Sequence, residues 1–475
     1  MIKRCFDDST KESCTQLTER EGKVMKRNLV LFVLLIFTVL TFSCQQMSPT
    51  NVNTESFDAD NQTSLLKSGA GNICIHAVLN TTVTDEHLAE LSNFGQVVDV
   101  YDQLNAVRIR AKADNLTLIQ NLEFVEAANP DAERNAPPVD TVPVEDFTVG
   151  YSSWNTDLIN VTEFPYFRTV LETGEGVIVG VLDSGLKDSW RQYFPQERIM
   201  TEYAKSFGGG GALGTNVSEQ PNKWEHDQSS HGTHVTSTII GYSFYGDPIA
   251  GVAPMATVIP VKVLNQNGSG WSSVIARGIM YIAELKEGPL ASYPVVINMS
   301  LGGSYLDAIE KAAIDYAISK GVIIVASAGN RGLSGMGYPG GYQPVISVAS
   351  CGWQPGAFVA DVPDPTNVAD YYIADYSSRA LAGQDLDVTA PGDWVVGPYQ
   401  LQSGKISYYY MLGTSMASPH VAGIVALMLE KNASLSAFQA ETILEGVAIP
   451  FLAPFTPADY GSGLITADGA LALTP

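Results

Sequence analysis

Apolar residues in the second half of the chain fall into short, nearly unbroken runs. Residues 177–182, 258–263, 295–298, 322–326 and 345–348 each read as a strand with no polar face, and helical stretches separate them. Strands that are apolar on both sides need cover on both sides. The pattern therefore predicts an α/β domain with a mainly parallel sheet between two helical layers. The run 424–429 has no polar face either and predicts a buried central helix. Before it stands Gly413-Thr414-Ser415-Met416-Ala417-Ser418-Pro419-His420-Val421-Ala422-Gly423. Proline is poorly tolerated deep in a helix, so regular turns are expected to begin close to Pro419 and to leave Ser415 at or just before the helix N-terminus. Free N–H groups and partial positive charge collect there, which suits an anion formed on a serine.

The first half reads differently. Within 72–130, strands are expected at 73–79, 97–101, 106–110 and 124–128, with one helix opened by Thr84 and another over 113–122. The order βαββαβ is that of a small ferredoxin-like α+β unit, a fold that serves many functions. His76 and His87 read as ordinary surface or core residues. Residues 131–150 are rich in Pro and Asp and read as an exposed, cleavable linker leading to the large domain, 151–475. Ahead of all this, 29–42 is one apolar run, preceded by Lys26-Arg27 and followed by Ser43 and Cys44. That is the layout of an export signal, too short to span a membrane comfortably. Its Cys44 resembles the acylated cysteine of bacterial lipoprotein signals, although Thr41 and Phe42 depart from that pattern. The expected signal region is 1–44, with Met25 the more ordinary initiator, and 45–70 reads as a flexible tether. The protein is thus expected to be exported, either held to the envelope membrane through Cys44 or secreted.

Composition adds limits. The formal net charge of −23 excludes nucleic acid as an expected partner. The five cysteines show no zinc spacing, and Cys74 and Cys351 fall in different domains, so no disulfide framework is expected.

Candidate chemistry sits at the ends of the predicted strands. Asp183 follows the first strand in Leu182-Asp183-Ser184-Gly185, where a parallel sheet normally places a site. His231 stands in Ser230-His231-Gly232-Thr233-His234-Val235, at the start of an apolar segment. With Ser415 these give an acid, an imidazole and a hydroxyl. A serine hydroxyl needs a base to take its proton, and the imidazole needs an acid to hold its tautomer. Asn330, in Ser327-Ala328-Gly329-Asn330, offers an amide donor for an oxyanion, and the Ser415 N–H a second.

Taken in order, the Asp-Ser-Gly, His-Gly-Thr-His-Val, Ala-Gly-Asn and Gly-Thr-Ser-Met-Ala-Ser-Pro-His-Val-Ala-Gly blocks resemble the subtilisin-like serine proteases. The resemblance runs from about Trp154 to the C-terminus. It implies a three-layer α/β fold and serine endopeptidase activity on polypeptide substrates, with Ser415 as nucleophile, His231 as base, Asp183 as orienting acid and Asn330 as oxyanion donor. His234 and His420 are expected to pack, Ser184 and Thr414 to support their neighbours, and His226 and Asp227 to lie in a surface loop. The resemblance further implies that Ser300, Leu301, Gly302, Gly268, Ser269, Gly270, Ala328 and Gly329 bind an extended substrate backbone, where glycine permits close approach. Arg331 would favour an acidic side chain before the scissile bond if it faces the cleft; otherwise it is a solvated surface arginine. Two departures are notable. The segment 187–230 is long and carries Gly208-Gly209-Gly210-Gly211, expected as a flexible surface insertion. The loop 241–251 lacks the asparagine-rich run that holds calcium in many relatives, so a structural Ca2+ has no clear motif, and the chemistry itself requires no cofactor. The 72–130 unit resembles the family's inhibitory propeptide, so the chain's own N-terminal unit is an expected partner. The rival expectation is a catalytically silent relative that binds peptides. An α/β-hydrolase esterase is excluded because no GxSxG elbow surrounds Ser415.

Overall fold

The computed structural model describes residues 71–135, 141–143, 152–163, 167–211, 215–356, 363–401 and 405–475. The proposed signal, Cys44 and the tether lie outside the described residues.

The N-terminal unit consists of β1 (Asn72–Leu79), α1 (Asp85–Leu91), β2 (Gly95–Tyr101), β3 (Ala106–Lys112), α2 (Leu116–Gln120) and β4 (Val125–Pro130), with strand order β2-β3-β1-β4. This is the expected βαββαβ arrangement. Thr84 caps α1 by accepting the His87 N–H. The second helix is shorter than expected because its first turn, Ala113–Asn115, is 3₁₀. Inward-facing Ile75, Ala77, Val107 and Ile109 form a core with Leu91 and Ile119. The sheet also packs on the helix Ala308–Ser319 of the large domain. The chain then continues as β5 (Glu133–Asn135) and β6 (Thr141–Pro143).

The large domain is built on a nine-stranded sheet. Its central, parallel part runs Lys205–Gly210, Thr257–Lys262, Ile178–Asp183, Val295–Met299, Val322–Ser327, Ile346–Trp353. Alternate residues of each strand feed two separate cores. Val179, Val181, Val296, Ile323 and Val325 face the layer holding the helix Thr414–Lys431, whereas Ile178, Leu182, Val295, Ile297 and Ile324 face the layer holding Ser272–Glu287 and Ala308–Ser319. This is the three-layer architecture the apolar runs predict. After Ile178–Asp183 the chain adds strands on one side, then crosses to Val295–Met299 on the other. Asp183 therefore ends a strand at the point where the winding reverses.

The four-glycine run is not a flexible surface insertion. It closes the strand Lys205–Gly210, which pairs with Thr257–Lys262 and Thr215–Glu219. Glycine is required at Gly209, where φ is +93° and an added Cβ would lie 2.1 Å from the Asn216 carbonyl oxygen. Cys74 and Cys351 are both free and buried.

Candidate active site

Asp183 is fully buried, and its carboxylate accepts the Ser184 N–H at 2.6 Å. His231, the first residue of the helix His231–Ile240, turns Nδ1 to this carboxylate, 2.9 Å from Oδ1 and 3.0 Å from Oδ2. The approach depends on Gly232. A Cβ there would fall 2.4 Å from the Gly185 carbonyl oxygen and 3.1 Å from Asp183 Oδ1. The Ser184 hydroxyl accepts the Gly232 N–H at 2.9 Å, a supporting role as expected.

Asp227 is not a surface loop residue. It is 2% exposed, and it accepts the Ser230 N–H at 2.9 Å and the Thr233 hydroxyl at 3.1 Å. It thereby holds Ser230 in the left-handed region, φ +64°, at the turn that launches His231. Behind it Lys262, 9% exposed, donates its ammonium to the Ser184 carbonyl. Burial pushes the Lys262 ammonium down, and Asp227 and Asp183 oppose that. Burial disfavours the His231 cation, but the charge and hydrogen bond of Asp183, with Asp227 behind, outweigh it and hold this imidazole above its ordinary value. The sequence reading missed Asp227 and Lys262. The available signal was a lone lysine inside an otherwise apolar strand, Val258-Ile259-Pro260-Val261-Lys262-Val263.

Ser415 lies one residue inside the helix Thr414–Lys431, and Pro419 sits within that helix, not at its start. The reason is visible at Ser300. Proline has no N–H for the carbonyl four residues earlier, which belongs to Ser415, and the Ser300 hydroxyl donates to that carbonyl instead, at 2.8 Å. The Ser415 hydroxyl donates to the Ser300 carbonyl at 3.3 Å. This helix packs directly on the His231 helix, and His231 Nε2 has no hydrogen-bond partner among the described residues. The Asn330 carbonyl oxygen accepts from Thr414, from N–H at 2.9 Å and from the hydroxyl at 2.8 Å. That fixes the amide and leaves Nδ2 beside Gly413, 3.1 Å from where a Cβ would stand. The Ser415 N–H, in the first helical turn, has no intrahelical acceptor.

His234 and His420 pack as expected. Burial lowers them to about 3 and about 4, and their rings bind the Val395 and Met416 carbonyls.

The substrate-binding candidates separate into three groups. Ser269 and Gly270 pair antiparallel with β5, and Gly268 forms the turn before them with φ +72°. Ser300 and Leu301 are buried, so their side chains serve the interior, and Gly302 lies against the Tyr338 carbonyl. Ala328 packs inside with Met336 and Leu386, and Gly329 donates to the Thr414 hydroxyl at 3.1 Å. Arg331 is partly exposed. Further along the chain, β6 pairs antiparallel with Tyr408–Met411, the strand that leads to Ser415.

The N-terminal unit is held to the large domain by buried charge. Asp131 accepts from Gly211 N at 2.9 Å, Ser273 Oγ at 2.7 Å, Ser272 Oγ at 3.0 Å and Ser273 N at 3.2 Å, which caps the helix Ser272–Glu287. His76, fully buried, stands 3.2 Å from Asp307 and 3.7 Å from Asp131. His76, Asp131 and Asp307 are near enough together to bind a cation, but Arg108 Nη2 already stands 3.4 Å from Asp131.

The sequence profile of the subtilase family (peptidase S8) matches residues 174–461. Subtilisin DY of Bacillus licheniformis is 34% identical over 301 residues, covering 62% of this chain and 91% of that one. Subtilisin of Bacillus pumilus is 36% identical, covering 63% of this chain and 92% of that one. Among solved structures, fervidolysin from Fervidobacterium pennivorans, described as a keratinolytic enzyme related to subtilisin, aligns with TM-score 0.65 at 25% identity. The alignment covers 85% of this chain and 61% of fervidolysin. With the fold, the blocks and these relatives in agreement, the chain belongs to the subtilase family of serine proteases.

Proposed function

We propose that this protein is a serine endopeptidase that cleaves polypeptides through an acyl-enzyme and is made as a self-inhibited precursor. The observation that carries the reading is the buried pairing of His231 Nδ1 with both Asp183 oxygens, at 2.9 and 3.0 Å, beside the helix that bears Ser415. Asp183 keeps the proton on Nδ1, so Nε2 is the basic nitrogen. The Ser415 hydroxyl turns from the Ser300 carbonyl to Nε2, gives up its proton and attacks the scissile carbonyl carbon. The electron pair displaced onto oxygen is received by Asn330 Nδ2 and the Ser415 N–H. As the tetrahedral intermediate collapses, the C–N bond breaks and His231 passes its proton to the leaving amine. Water then repeats the sequence on the ester and restores Ser415.

The precursor reading is supported by β5, which occupies the strand Ser269–Trp271 as a substrate would, and by β6 on Tyr408–Met411. We read 72–130 as the inhibitory propeptide, 131–150 as the processed linker and Cys44 as the lipid-bearing residue of an exported protein. A fluorophosphonate probe should label the mature protein and fail on Ser415→Ala, whose precursor should stay uncut in the mass spectrum. An unlabelled wild-type mature protein would leave only the peptide-binding reading. The same spectra give the processing point and any acyl mass on Cys44.

A further inference from the structure

β5 pairs with the substrate edge in a fixed register, with Arg134 opposite Gly270. Arg134 is fully buried and points into the large domain. Its Nε donates to Glu310 Oε2 at 2.8 Å, and its Nη2 donates to the same oxygen and to the Tyr305 carbonyl at 3.0 Å. The guanidinium also lies over the Tyr305 ring, 5.8 Å from its centre. Glu310 belongs to the first turn of Ala308–Ser319, where a carboxylate complements the helix dipole. A residue serving only the dipole would be solvated. Glu310 is instead fully buried, and its second oxygen, Oε1, has no hydrogen-bond partner among the described residues. Burial pushes its carboxyl up, and Arg134 opposes this.

We infer that the cleft holds an acidic subsite, built on Glu310 and Tyr305, that selects substrates carrying arginine at the position paired with Gly270. The inference rests on the peptidase reading above. Backbone pairing along Ser269–Trp271 is blind to side chains, but the pleat sends the residue opposite Gly270 toward Glu310 in any chain bound in this register. An apolar residue there leaves Glu310 buried without a counter-charge, whereas arginine supplies one. Lysine offers a single point charge in place of the Nε and Nη donors that meet Glu310 and Tyr305, so it ranks below arginine.

The test uses the processed wild-type enzyme and internally quenched peptides in which Arg, Lys, Leu and Glu are walked through the residues upstream of the cleaved bond. At one upstream position, Arg should exceed Leu by at least about tenfold in kcat/KM, with Glu lowest, a factor equivalent to about 1.4 kcal/mol. The double variant Arg134→Leu/Glu310→Leu, which keeps the precursor strand compatible with its slot, should lose the Arg preference and still cleave the Leu peptides. If the double variant does not mature, Glu310→Gln should reduce the Arg-over-Leu ratio instead. Equal cleavage of Arg and Leu peptides at every position by wild type overturns the subsite and leaves the peptidase reading intact. Retention of the Arg preference by the Glu310 variants also overturns it. No cleavage of any peptide by the processed enzyme overturns the peptidase reading and the subsite with it.

Discussion

Replacing Asp131 with alanine should release the N-terminal unit from the large domain without unfolding either. Asp131 lies beyond β4, and its carboxylate bonds to large-domain groups: the Gly211 and Ser273 N–H groups and the Ser272 and Ser273 hydroxyls. The hydroxyls can rotate to other acceptors; Ser272 already faces Asp307 Oδ2 at 2.8 Å. The two backbone N–H groups cannot, and at about 1.5 kcal/mol each for a bond to a charged acceptor they account for roughly 3 kcal/mol. Arg108 keeps its bonds to the Thr215 and Gly211 carbonyls but loses its counter-charge, and breaking a buried pair costs about 3–5 kcal/mol. These terms overlap, so a total of about 3–5 kcal/mol, or about 10²–10⁴-fold in Ki, is expected. The assay is inhibition of the mature enzyme by an added 72–135 segment, wild type against Asp131→Ala, with circular dichroism to establish that both segments fold. Asp131→Asn, which keeps one acceptor oxygen, should fall between them. A change in Ki below about threefold would refute the reasoning, because buried donors cannot lose their acceptor at so small a cost.

Asn330→Ala should lower kcat by about 10²–10³-fold with little change in KM, since its Nδ2 is proposed to meet the oxyanion and not the bound substrate; an unchanged kcat would remove it from the site. The pH profile of kcat/KM should show its acid limb above 6.5. His231 must be neutral to act as base, and its raised pKa extends the inactive cation to higher pH. A limb at or below 6.5 would contradict the Asp183 pairing. Burial, with Glu441 and Asp385 nearby, pushes Asp387 up to about 8. Its folded pKa thus exceeds the unfolded value, so its contribution to stability is present at low pH and is lost as pH rises through about 8. The melting temperature of the Ser415→Ala protein should fall as pH rises from about 4 to about 8 and level off above that. Adding Asp387→Asn should flatten that slope, and an equal slope would assign the loss elsewhere.

The parallel sheet was legible because strands such as Val295–Met299 carry apolar residues on both faces, and only a covered sheet uses both. The triad candidates were legible because each sits in a distinctive block at a strand or helix end. Asp227 was misread because burial is a tertiary property: nothing around it in His226-Asp227-Gln228 is apolar, and the Ser230 turn, not sequence context, carries it inward. The glycine run failed for the converse reason. Glycine-rich local sequence reads as mobile, yet Gly208–Gly210 pairings in the sheet specify its path. The position of Pro419 was misjudged because the missing helical hydrogen bond is replaced from Ser300, 115 residues away in the chain. The arginine slot was out of reach altogether, since Arg134 and Glu310 become neighbours only through the pairing of β5.

Ser300 also bears on how this enzyme could be re-engineered. It adjoins residues proposed to bind substrate and would be an obvious choice for randomisation in a library aimed at new cleavage preferences, yet its hydroxyl splints the backbone at Ser415, the proposed nucleophile. Diversity is better spent on its neighbours, with position 300 held fixed.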